Sequence, residues 1–191
     1  AYEQAAAYGY RVIEAEQHQI GMEGHEYTVL VNSLMQLHRP ASEIENVLKK
    51  GMEKYPELPG LAAMRGLLYW DRQDYIGAEK YLRRSAELKE RPQKDHFVLY
   101  TDNTIGLMPY VYLYLGRLAL LRLRPDEAVQ AFAKGLRLKK EDVRLFQNLY
   151  HCIAAWASTD QAELLNGLYD KEKDAAWLAD CLWELGAGKL Y

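Results

Sequence analysis

The sequence holds little that would commit it to one chemistry. Only two cysteines occur, Cys152 and Cys181, and they form no CxxC pair. That leaves out a disulfide-dense secreted scaffold and a paired-cysteine zinc motif. Both lie among apolar residues of predicted helices, where buried free thiols are expected, with a single bridge between them as the open alternative. A reducing, cytoplasmic setting follows from this as an expectation. Six prolines and long stretches without strand-type alternation point to helices throughout. The formal charge of −3 and pI near 6.0 lack the basic excess of a general nucleic-acid binder. The most apolar run, Leu107 to Leu121, is interrupted by Arg117 and followed by Arg122 and Arg124, so it reads as a helix buried on most sides rather than a membrane span. No secretory leader pattern is present, and a start at Ala1 is expected of a processed chain or a piece of a longer one.

Enzyme signatures are equally scarce. GxGxxG, the P-loop, HExxH, GxSxG and an Asp-x-Asp diphosphate-metal motif are all missing. His18, His25, His38, His96 and His151 are scattered without ligand spacing, and His25-Glu26 has no second histidine at i+4. No catalytic residue, metal or cofactor is expected.

What the sequence does hold is a pattern present twice. Gly66, Tyr69, Ala78, Leu82 and Ser85 match Gly116, Ala119, Ala128, Phe132 and Gly135. In each copy an alanine follows the glycine by twelve residues and a large apolar residue follows by sixteen. Such spacing sets small residues where two helices of a hairpin touch closely. Large ones fill the space beside them.

Helices are expected over 2–19, 26–38, 43–55, 61–71, 75–89, 109–123, 126–138, 142–157, 160–170 and 174–185. Gly21 and Gly24 would close the first. Ser42 with Glu45 would form a capping box for the third. Asp71-Arg72-Gln73-Asp74 reads as a polar hairpin turn, and Pro125 suits the first turn of a helix. Gly66 and Gly116 stand fifty residues apart, one period of about 34 plus sixteen more. The extra residues fall at about 92–108, which reads as a long connection.

These residues resemble the tetratricopeptide repeat. The resemblance implies an all-α fold, a right-handed superhelix of antiparallel helix pairs. One domain would cover 1–191, with repeats at 25–58, 59–92, 109–142 and 143–176 and flanking helices at 2–19 and 174–185. The first repeat departs from the pattern, with Asn32 in the glycine position and Pro56 at the closing proline. A narrower likeness lies in Arg65-Gly66-Leu67-Leu68-Tyr69-Trp70, Asp74-Tyr75 and Ala78-Glu79, followed by Tyr100, Gly106 and Tyr110. This run is similar to the repeat region appended to bacterial nucleotide-sugar glycosyltransferases, and it implies a parent enzyme of that class. The catalytic domain of such enzymes is not in this sequence.

In this repeat type the first helix of each hairpin lines a groove. Mapped by register, Trp70, Asp71, Tyr110, Leu113, Arg117, Leu121, Arg144, Gln147 and His151 fall there. Aromatics with arginines suit a protein or peptide partner, an acidic one in particular. The Lys/Asn clamp for C-terminal carboxylates is not supplied, since the matched positions are Val29, Ala63, Leu113 and Gln147. His96, Tyr100, Asp102 and Asn103 of the insertion form a second candidate set. The expected function is therefore a non-catalytic interaction module without nucleic-acid or membrane partners. The competing expectations are a fragment of an enzyme in which this region positions a protein or glycan acceptor, and a homodimer through the terminal helices with Trp177 and Trp183 as apolar anchors.

Overall fold

A computed structural model describes residues 1–15, 24–90 and 103–156, with side chains from 106 in the last stretch, and scattered positions between 167 and 181. Among the described residues eight helices form and no strand. They are α1 (Tyr2–Glu14), α2 (His25–Gln36), α3 (Ala41–Lys54), α4 (Pro59–Asp71), α5 (Tyr75–Glu90), α6 (Asn103–Leu121), α7 (Pro125–Leu138) and α8 (Val143–Trp156). The fold is all-α and built of helical hairpins, as expected. The helices expected over 160–170 and 174–185 lie largely outside the described residues. The chain divides into two compact units, Ala1–Leu107 and Met108–Tyr191, with the division inside α6.

In the first unit, α4 and α5 run antiparallel because Gly66 lets them touch. A Cβ on Gly66 would come within 2.6 Å of Leu82, the large residue sixteen positions on. Ala78 and Leu82 are fully buried there, and the buried Ser85 hydroxyl donates to the Pro59 carbonyl at 2.9 Å. Gly51 of α3 has the same role one repeat earlier, lying under the Tyr27 ring. Helix α1 is held to α2 by Gly9 against Leu30. It is tied to α3 by the Tyr10 hydroxyl, which donates to Glu43 at 2.7 Å. Burial, then that hydrogen bond, push the Tyr10 pKa up to about 12.

The second unit repeats the device with a larger ring. A Cβ on Gly116 would lie 2.3 Å from Phe132, and one on Gly135 would lie 2.8 Å from Leu145 of α8. Phe132, Leu136, Leu145, Phe146 and Leu149 form the core. Phe146 also meets Tyr169 edge-on at 5.7 Å and Trp177 at 5.3 Å. Both cysteines are buried and neither forms a disulfide, and burial pushes the Cys152 thiol up to about 11.

The three hairpin turns share one geometry. His38, Gln73 and Leu123 have φ of 51, 61 and 57°. Each follows its helix by two residues, and the chain closes over it in the same way. In the second hairpin the Asp74 N–H reaches the Tyr69 carbonyl and the Gln73 N–H reaches that of Trp70. In the third the Arg124 N–H reaches Ala119 and the Leu123 N–H reaches Leu120. This paired closure satisfies last-turn carbonyls and demands a left-handed residue, usually glycine. None of the three is glycine, which is why the motif is hidden in the sequence.

Several local expectations fail for physical reasons. No capping box forms at Ser42. Helix α3 starts at Ala41, Ser42 is inside its first turn, and the Glu43 and Ile44 N–H groups reach the Pro40 carbonyl instead. Gly24 does not close α1. It is the left-handed N-cap of α2, with φ 87° and a Cβ position 2.8 Å from the Tyr55 ring. Residues 103–108, expected within the connection, belong instead to α6, which carries Pro109 in its interior. A proline inside a helix costs about 3 kcal/mol. Burial of Met108 and packing of Leu107 on the first unit's core offset that cost.

Two stability predictions follow from this packing. Gly116→Ala should lower the unfolding free energy by about 1–3 kcal/mol through overpacking against Phe132, even though alanine is the better helix former. Urea melts would show this, with Gly106→Ala as control, since a Cβ there meets none of the described residues within 4 Å. Leu123→Gly should raise stability by about 1 kcal/mol by relieving the left-handed strain, because Leu123 is 87% exposed and leaves little packing to lose.

Candidate functional site

The arginine-aromatic set predicted for the last two repeats begins with an aspartate. Asp142 is buried at the start of α8, and its Oδ1 accepts the Leu145 N–H at 3.3 Å. It also pairs with Lys139 at 3.2 Å and Arg144 at 3.6 Å. Burial opposes its charge, but the Leu145 N–H, Lys139 and Arg144 outweigh this and hold the carboxyl below the usual carboxylate range. The cap orients the first turn of α8 and thereby Arg144. The Arg144 guanidinium lies over the Tyr110 ring, 4.7 Å from its centroid. Hydrogen bonding with the Tyr110 side chain raises its pKa against an opposing effect of burial, and Asp142 adds to the rise.

Along α6, Tyr110, Tyr114, Arg117 and Leu121 recur at helical spacing and share one stripe. Arg117 is half-buried with its guanidinium 5.6 Å from the Tyr114 centroid. No acidic side chain pairs with it among the described residues. Leu121 is exposed, whereas Leu113 is buried and belongs to the core. On α8, Gln147 is half-buried and His151 exposed beside Tyr150, ring centroids 6.3 Å apart. Tyr114 was missed by the sequence reading. Its signal was available, four residues after Tyr110 and three before Arg117.

Trp70 and Asp71 belong to the first unit. Trp70 is half-buried against Tyr75, with centroids 5.2 Å apart, and Asp71 is the exposed last residue of α4. Burial raises the Asp71 carboxyl above its ordinary value. His96, Tyr100 and Asp102 lie outside the described residues, and Asn103 is the first residue of α6. Trp177 packs on Phe146 and stacks on Tyr169 at 5.3 Å, while Trp183 lies outside the described residues. Among the described residues no three His, Cys, Asp or Glu side chains group as a metal site, and no helix is long and apolar enough to cross a membrane.

Comparison with known proteins bears on the fold. No protein-family model matches the sequence, and no curated protein matches it either. Solved structures do. A crystal structure of MamA protein aligns with a TM-score of 0.59 at 16% identity, over 92% of this chain and 85% of that one. A second MamA structure gives 0.58 at 15% identity, over 100% and 92%. A MamA mutant gives 0.52 at 20% identity, over 88% of each chain. At such identities the likeness shows a shared helical-repeat fold.

Asp142 offers a test of how α8 is anchored. Asn can still accept the Leu145 N–H but carries no charge. The depressed carboxyl contributes stability that is present above the ordinary carboxylate pKa and lost as pH falls through the folded-state value. Asp142→Asn should therefore be less stable than the parent at pH 7, and the gap should close below about pH 4. Thermal melts across pH would read it.

Proposed function

We propose that the chain is a non-catalytic protein-interaction module whose second unit receives an acidic segment of a partner on α6 and α8. Arg117 carries this reading. It is a half-buried cation resting on Tyr114, with no counter-ion among the described residues. A guanidinium in that setting retains N–H donors in a fixed fork that matches a carboxylate. Tyr110 and Tyr114 add rigid contact area at low entropic cost. Arg144 supplies a second cation, held in place by Asp142 and Tyr110.

Two other readings are weaker on physical grounds. The run that resembles a glycosyltransferase-appended repeat region is used internally. Arg65 lies over the Tyr69 and Tyr81 rings, at 5.9 and 4.6 Å from their centroids. Asp74 caps α5 by accepting the Gly77 N–H at 2.9 Å. Such residues account for hairpin packing, so the likeness supports a related scaffold more than a place beside a nucleotide-sugar enzyme. Self-association through Trp177 is disfavoured because that ring is already packed on Phe146 and Tyr169.

Fluorescence anisotropy with a labelled oligoglutamate peptide tests the proposal. Binding should weaken with added salt, and Arg117→Glu should weaken it by about tenfold or more while leaving the melting temperature nearly unchanged. A loss of stability with no change in binding would show that Arg117 serves the fold, and the reading would fail.

A further inference from the structure

We infer that a cavity of about 200 Å³ in the first unit, bounded by α2, α4 and the opening turns of α6, binds an aliphatic side chain carried on an amide backbone, as at a leucine-like residue of a peptide. Thr28, Val29, Asn32, Met64, Gly106 and Leu107 line it. Val29, Met64 and Leu107 make an apolar wall. None of the six is charged, so among the described residues an ionic ligand would find no counter-ion to offset its lost hydration. The cavity is smaller than the roughly 300–1,000 Å³ typical of drug-sized ligands. It suits a single branched side chain with the amide beside it.

The polar lining points to the amide. Thr28 is only 4% exposed, and its Oγ1 has no hydrogen-bond partner among the described residues. Helical Ser and Thr often close onto the carbonyl four residues back. Ser33 does so with Val29 at 2.9 Å, but Thr28 does not. A buried hydroxyl left unsatisfied destabilises the fold, and such groups are rare unless they serve something. Asn32 adds an amide with donors and an acceptor on the same helix, one turn from Thr28. It stands where the other hairpins have Gly66 and Gly116, which close under Leu82 and Phe132. A peptide amide presents one donor and one acceptor, which these two side chains can meet.

The repeat alone does not make this cavity. Gly106 and Leu107 belong to the part of α6 that starts ahead of Pro109. Leu107 packs against the first unit's core, and a Cβ on Gly106 would meet none of the described residues within 4 Å, so a side chain there has room to fill the cavity's edge. The pocket lies wholly in the first unit and is independent of the acidic-segment reading, so either can fail alone.

The test uses the full chain with ¹³C-methyl methionine and N-acetyl-L-leucinamide as probe. The Met64 methyl should shift saturably, with a Kd of about 1 mM as expected for so small a ligand. Gly106→Leu should remain folded and abolish the shift by filling the cavity's edge. Thr28→Val should raise the melting temperature by removing the unsatisfied hydroxyl, yet weaken the probe by about three- to tenfold. The assignment falls if Met64 shows no saturable shift, or if the shift persists in Gly106→Leu. It also falls if Thr28→Val melts lower than the parent and binds the probe unchanged, since the hydroxyl would then serve the fold.

Discussion

Everything in each unit depends on a missing side chain facing a large one. Gly66 under Leu82 and Gly116 under Phe132 set how closely two helices approach. That distance decides whether Ala78 and Ala128 can be fully buried between them. Close-packed interiors tolerate neither an extra methyl at such a point nor a missing one. A second contact, through Gly51 and Gly135, carries the same rule to the following helix, and Ser85 stands at the matched place in α5. Gly51 and Gly135 meet Leu61 and Leu145, each ten residues on, and Ser85 replaces glycine with a hydroxyl that satisfies the Pro59 carbonyl.

The turns solve a separate problem. A helix end leaves carbonyls unpaired, and a hairpin leaves few residues in which to pair them. Three left-handed residues, His38, Gln73 and Leu123, meet that need at matched places. Each bears a side chain where glycine would be easier, so some local strain is accepted in return for satisfied backbone. Asp74 and Asp142 then cap the helices that follow. In the second unit the cap also has a functional consequence, because Asp142 holds Arg144 over Tyr110.

The two candidate sites differ in kind. On α6 and α8 a cation lacks a counter-ion while aromatic rings support it, an arrangement matched to negative charge. Between α2, α4 and the start of α6, a hydroxyl lacks a partner in an apolar setting, an arrangement matched to a neutral amide with a hydrocarbon side chain. Both consist of a polar group whose complement the described residues do not supply. In both, the group lies on the first helix of a hairpin, whose other face is committed to packing.

The helical hairpins, their small–large contacts and the buried thiols were legible in the residues. Helix geometry turns a spacing of three or four into a shared face, and a spacing of sixteen across a tight turn into a contact. Boundaries were legible to within a few residues, except where burial overrode a local rule. Met108 and Leu107 outweighed Pro109, and the Pro40 carbonyl displaced the Ser42 box. Which polar groups go unpaired was not legible at all. The sequence lists every donor and acceptor, but partners come from distant positions: Glu43 reaches Tyr10, Arg144 lies over Tyr110, and nothing among the described residues reaches Arg117 or Thr28 Oγ1. Periodicity is a local property and the sequence by itself determined it; satisfaction of hydrogen bonds and charges is a property of neighbours in space, and only the tertiary structure decided it.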